Sequence, residues 1–203
     1  MATAKRIGVD RSRFTSETGV GASTKSVMPL VRTRFGDYEK QMFPDDIQQL
    51  AQQIVAASAA RELMLATAES CTGGLVSAAL TAIPGSSSAL DRGFVTYSNE
   101  AKTQMLGVRQ TTLMAHGAVS EETARAMAEG AVANSRAQIS VSVTGIAGPG
   151  GGSAEKPVGL VHFASQGPKG LIHVEKRFGD IDRDAIRLAS VRTALSMLAD
   201  QLG

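Results

Sequence analysis

A chain of 203 residues, 43% hydrophobic and 20% charged, is long enough to bury a core of its own and too apolar to stay unfolded. Aromatic residues make up only 4% and Trp is absent, so the core must be aliphatic and a base-stacking nucleic-acid surface is disfavoured. The net charge of +2 is unevenly split: residues 1–40 hold eight Lys/Arg against four Asp/Glu, which leaves 41–203 at −2, the wrong sign for a domain that grips nucleic acid.

Residues 1–41 are rich in Arg, Ser, Thr and Gly and show no sustained periodicity, which predicts a disordered extension ahead of a single domain over 42–203. Acids at positions 10 and 17 argue against a transit peptide, and Met42 is an alternative start of translation. No apolar run approaches the ~20 residues of a spanning helix. One cysteine, Cys71, rules out an intramolecular disulfide. These features predict a cytoplasmic protein that does not enter a membrane.

Asp45, with Gln48 three residues on, predicts a helix start, and Ile47, Leu50, Ala51, Ile54, Val55 and Ser58 mark its buried face. A strand is expected over 63–68, a helix over 72–82 capped by Ser70 or Thr72, and a turn over 83–88 leading into a strand over 93–97. A helix from Asn99 to about Gly107 follows, then an Ala-rich helix capped by Ser120 that runs to about Ala133. The period-two stretch 138–144 predicts a strand that enters the glycine-rich loop 145–152. Two strands, 158–165 and 171–178, flank a hairpin turn and make the sheet mixed. Asp180 is expected to cap a last helix striped by Leu188, Val191, Leu195, Leu198 and Leu202. Together these predict an α/β fold, a three-layer α/β/α sandwich whose mixed sheet includes a C-terminal β-hairpin.

Three strands therefore end in loops rich in hydroxyls or glycine, and in open α/β sheets ligands bind outside the carboxyl ends of the strands. Segment 68–74, AESCTGG, places hydroxyls and two glycines at a strand–turn–helix junction. There the first N–H groups of the helix, on Thr72, Gly73 and Gly74, are candidate anion donors. Three dispersed histidines and one cysteine form no metal-ligand pattern. His162 and His173 fall inside the hairpin strands and read as structural. His116 reads as a loop residue, and Glu155 and Lys156 as the solvated rim of the glycine loop. Cys71 lacks a histidine or basic partner and reads as a small buried thiol. By residue type alone, Lys102 would be an exposed helix lysine.

The motifs AESCTGG, GSS (85–87), RGFVTYSNEAK (92–102), HGAVSEET (116–123), TGIAGPGGGSAEKPVG (144–159) and GDIDR (179–183) occur in one order along the chain. They resemble the CinA C-terminal family, in particular its stand-alone nicotinamide-nucleotide amidohydrolases, over roughly 43–202. The resemblance implies a serine amidohydrolase without a cofactor or metal. It would cleave the carboxamide of nicotinamide mononucleotide to nicotinate mononucleotide and ammonia, feeding NAD recycling. It also implies a homodimer. Lys102 becomes the general base, its pKa lowered by burial. Ser87 is the nucleophile expected from this likeness, Ser70 its rival, and Tyr97 a candidate to orient Lys102 or donate a proton. Thr72, Gly73, Gly74, Asn99, Thr144, Gly145, Gly148 and Arg183 are the expected substrate contacts. The competing reading is a non-catalytic nucleotide-binding or competence/damage-related regulatory module; a nucleic-acid protein using the basic tail is a weaker third.

Overall fold

The computed structural model describes residues 42–203. The expected extension over 1–41 lies outside the described residues. Helix α1 (Asp45–Ala60) buries Ile47, Ala51, Ile54, Val55 and Ser58, the face its periodicity marks out. Strand β1 (Leu65–Glu69), helix α2 (Leu75–Thr81), a 3-10 turn (Ser86–Ser88) and strand β2 (Leu90–Val95) follow. Helices α3 (Asn99–Leu106), α4 (Gln110–His116) and α5 (Glu121–Ala133) lead to β3 (Ile139–Gly145). The hairpin β4 (Leu160–Gly167) and β5 (Gly170–Arg177) precedes α6 (Arg183–Leu202). Helix α4 is not anticipated from the sequence: it is short, has no side-chain cap and buries none of its residues fully. Helix α6 is capped by Asp182, whose carboxylate accepts from Ala185 N–H at 2.8 Å, two residues beyond the expected Asp180.

The sheet runs β2-β1-β3-β4-β5, with β1 parallel to both neighbours and β3, β4 and β5 antiparallel in turn. Helices α1, α2 and α6 pack together on one face; α5, with α3 and α4 against it, covers the other. The expected three-layer sandwich with a mixed sheet and C-terminal hairpin is what forms. No helix among the described residues is long and apolar enough to cross a membrane.

The alternation in β3 has an unexpected meaning. Ile139, Val141 and Val143 enter the larger core beneath α1 and α6. Ser140, Ser142 and Thr144 are buried as well, facing α5. Their hydroxyls donate to the carbonyls of Ala128 (2.7 Å), Ala124 (2.6 Å) and Ala118 (2.6 Å). Small side chains on both elements let α5 lie close to the sheet, and the hydrogen bonds remove the cost of burying the hydroxyls.

Gly130 extends this close packing to α3, since a Cβ there would overlap the Leu106 carbonyl oxygen. Gly→Ala inside a helix ordinarily stabilises by ~1 kcal/mol. Here the backbone of α3 must move instead, and overpacking of this kind costs ~1–3 kcal/mol. Gly130→Ala is therefore expected to lower the thermal midpoint by roughly 2–12 °C, read by circular dichroism.

Candidate active site

Every parallel strand ends at the same edge of the sheet, and α6 begins there. A cleft of about 280 Å³ opens at that edge, lined by Ser70 and Cys71 after β1, by Tyr97, Asn99 and Lys102 after β2, and by Thr144 to Gly148 after β3, with Arg183 at the start of α6. No carboxylate is among its lining residues.

Lys102 is the largest fully buried side chain of the described residues, only 1% exposed. Its Nζ donates to the Thr96 carbonyl at 2.8 Å and lies 3.1 Å from Ser70 Oγ. Among the described residues it has no carboxylate partner. Burial pushes its pKa down, because the low-dielectric surroundings disfavour the ammonium form. A thiolate at Cys71 would oppose this, but burial raises the Cys71 thiol to about 12, so it is protonated at neutral pH and exerts no such pull. As an ammonium, Nζ donates to both Thr96 O and Ser70 Oγ; once deprotonated it keeps an N–H for Thr96 and turns a lone pair to the Ser70 hydroxyl.

The serine is placed from the other side. Ser70 N–H donates to Val143 O at 2.9 Å, which ties the turn after β1 to β3. Its predecessor Glu69 is fully buried and gathers five donors. Gly74 and Val76 N–H reach one oxygen at 3.0 Å each; Ser77 N–H at 2.9 Å, Ser77 Oγ at 2.8 Å and Thr67 Oγ1 at 3.1 Å reach the other.

Several expectations change. Ser87 is exposed in the turn that precedes β2, whereas Lys102 is anchored beyond the strand's other end. The six residues of β2 put on the order of 20 Å between them. Ser87 is not in the cleft, and Ser70 is the serine within hydrogen-bond reach of Lys102. Thr72, Gly73 and Gly74 do not line the cleft either. Gly73 N–H is bonded to Ser70 O, Leu75 N–H to Thr72 O, and the N–H groups of Gly74, Val76 and Ser77 to Glu69, so the amides from Gly73 to Ser77 are already taken. Neither Ser70 nor Thr72 caps α2; Gly74 occupies the cap position and Glu69 supplies the oxygens.

Asn99, Thr144, Gly145, Gly148 and Arg183 do line the cleft. Tyr97 is 61% exposed and does not bond Lys102; its hydroxyl accepts from Arg183 at 3.1 Å. Arg183 also donates to Gly148 O at 2.8 Å, linking the glycine loop to the far rim. Lys156 is not a solvated rim residue. Its Nζ donates to His116 O (2.7 Å) and Val119 O (2.8 Å), holding the glycine loop against the segment before α5. Arg187, not anticipated from the sequence, donates to Thr72 O at 3.0 Å and braces the turn after β1 from α6. His162 Nδ1 and His173 Nε2 lie 3.0 Å apart in a stacked pair between β4 and β5, and neither is among the residues that line the cleft.

A buried lysine against a serine hydroxyl, at the carboxyl edge of a mixed sheet, defines an α/β protein with a serine–lysine site. The chain belongs to the CinA family, the CinA C-terminal domain, whose model matches residues 47–202. It is 49% identical over 160 residues to the nicotinamide-nucleotide amidohydrolase PncC of Escherichia coli K12, covering 79% of this chain and 97% of that protein. A CinA-like protein of Anaeromyxobacter sp. strain K is 46% identical over 180 residues, and this chain spans 44% of its length. The crystal structure of competence/damage inducible protein CihA from Agrobacterium tumefaciens superposes with a TM-score of 0.79 at 58% identity, over 80% of this chain and 99% of that one.

Proposed function

We propose that this chain hydrolyses the carboxamide of nicotinamide mononucleotide, releasing ammonia and nicotinate mononucleotide, with Ser70 as nucleophile and Lys102 as general base. The observation that carries this reading is the 3.1 Å approach of a fully buried, unpaired Lys102 to Ser70 Oγ. The near full-length likeness to an amidohydrolase supports the substrate.

The neutral Lys102 takes the Ser70 proton as Oγ attacks the amide carbon. Backbone N–H groups of the glycine loop stabilise the oxyanion. The resulting ammonium returns its proton to the leaving nitrogen, ammonia departs, and water cleaves the acyl-enzyme with Lys102 again as base. Arg183 is the permanent cation at the cleft and receives the substrate phosphate, with Asn99, Thr144, Gly145 and Gly148 along the path between. A cleft free of carboxylates suits an anionic substrate.

Purified protein given nicotinamide mononucleotide and a metal chelator is expected to release one ammonia per nicotinate mononucleotide formed. Folded protein that binds the nucleotide without releasing ammonia would replace this reading with that of a binding module.

A further inference from the structure

We infer that Glu69 is a positioning residue for the reaction: its buried carboxylate sets the geometry of Ser70 and Lys102 together. This rests on the proposed serine–lysine reading. Glu69 is 0% exposed, and among the described residues no cation is bonded to it; its five donors there are neutral N–H or O–H groups. Burying a carboxylate is costly unless its oxygens are fully hydrogen-bonded. Stability alone would be served as well by an apolar residue and an ordinary Ser or Asp cap on α2.

The chain instead commits several positions to seating this one group. Ser77 gives it both a backbone and a side-chain donor. Thr67 gives a hydroxyl and also touches Ser77 Oγ at 2.5 Å. Gly93 on β2 leaves room for that arrangement, since a Cβ there would run into Ser77 Oγ.

Both halves of the serine–lysine pair hang from this residue. Its side chain fastens the start of α2, so the turn from Ser70 to Gly74 is held at both ends, by Val143 O at Ser70 N and by the carboxylate at Gly74 N. Its main-chain carbonyl accepts from Thr96 N–H at 2.8 Å, and the Thr96 carbonyl in turn holds Lys102 Nζ. A shift of Glu69 therefore moves nucleophile and base relative to each other, and misplacement by about 1 Å can cost ~10²-fold in rate. By filling the amide donors of α2, the carboxylate also denies that helix end to the substrate's phosphate and leaves it to the Arg183 side of the cleft.

Glu69→Gln keeps the shape but offers one acceptor oxygen and an NH₂ that faces N–H donors. It is expected to lower kcat by about 30–100-fold with KM within ~3-fold of wild type. The Gly74, Val76 and Ser77 amides should exchange faster with solvent, while circular dichroism stays native. Ser77→Ala, a gentler change that removes one of the five donors, should lower kcat ~3–10-fold at unchanged KM. A purely structural role would instead lower the thermal midpoint and leave kcat per folded molecule untouched in both variants, which would overturn the inference. Failure of the underlying reading shows in the wild type alone, as nucleotide bound without ammonia released, and the inference falls with it.

Discussion

Ser70→Ala is expected to abolish ammonia release from nicotinamide mononucleotide, by on the order of 10⁴-fold or more, while Ser87→Ala keeps a rate within ~3-fold of wild type. The two serines are separated by position. Ser70 Oγ lies 3.1 Å from the only lysine in the cleft and is pinned through its own N–H to β3. Ser87 lies at the opposite end of β2, exposed in a 3-10 turn whose residues are not among those lining the cleft. Cys71 does not substitute for Ser70: its thiol, pushed up to about 12 chiefly by burial, supplies negligible thiolate at neutral pH. Nucleotide binding should survive in Ser70→Ala, because Arg183, assigned to the phosphate, and the other substrate contacts are untouched. A Ser70→Ala protein that still releases ammonia, or a Ser87→Ala protein that does not, would reassign the nucleophile.

The fold was largely legible because its signals are local. Aliphatic stripes on α1 and α6, alternation in β3 and the Gly-Pro-Lys-Gly hairpin each specify an element within a few residues. The site residues after β2 and β3 were legible for the same reason, as hydroxyl- and glycine-rich strand ends. What escaped depends on contacts far apart in the chain. The serine turn 86–88 and the lysine helix flank opposite ends of β2, but only the side-chain placement shows that Ser70, from the turn after β1, is the serine that reaches Lys102. Glu69 sits in a short motif, but its partners at 74, 76 and 77 are reached only once the turn has folded the helix back over the strand. The intervening glycines supply the left-handed turn this needs, with φ of 61° at Gly73 and 99° at Gly74. Their N–H groups, expected to meet an anion from outside, lie in a turn that is closed on itself and on an internal carboxylate. Lys156 and Arg187 were unremarkable for a related reason: their acceptors are main-chain carbonyls, which have no sequence signature.

Lys102→Arg should lower kcat by about 10³-fold, in the range that general-base catalysis supplies, although the charge is conserved. Arginine stays protonated at every accessible pH, so it can hold Thr96 O but cannot accept the Ser70 proton. In the wild type, the depressed Lys102 pKa gives kcat/KM an ascending limb, with activity rising as pH passes the folded-state value and the amine becomes neutral. Lys102→Met removes that limb along with the activity. The same group leaves a mark on stability. Its folded pKa lies below the unfolded one, so between the two the unfolded chain carries a proton that the folded chain does not, and stability rises with pH across that window. Comparing the thermal midpoints of wild type and Lys102→Met from about pH 7 to 10 isolates this contribution, and the difference should move in favour of the wild type as pH rises. A flat difference would mean that Lys102 is no harder to charge in the folded protein than in water. An unperturbed lysine of that kind would be almost wholly protonated at neutral pH, and the proposed base would have to be sought elsewhere in the cleft.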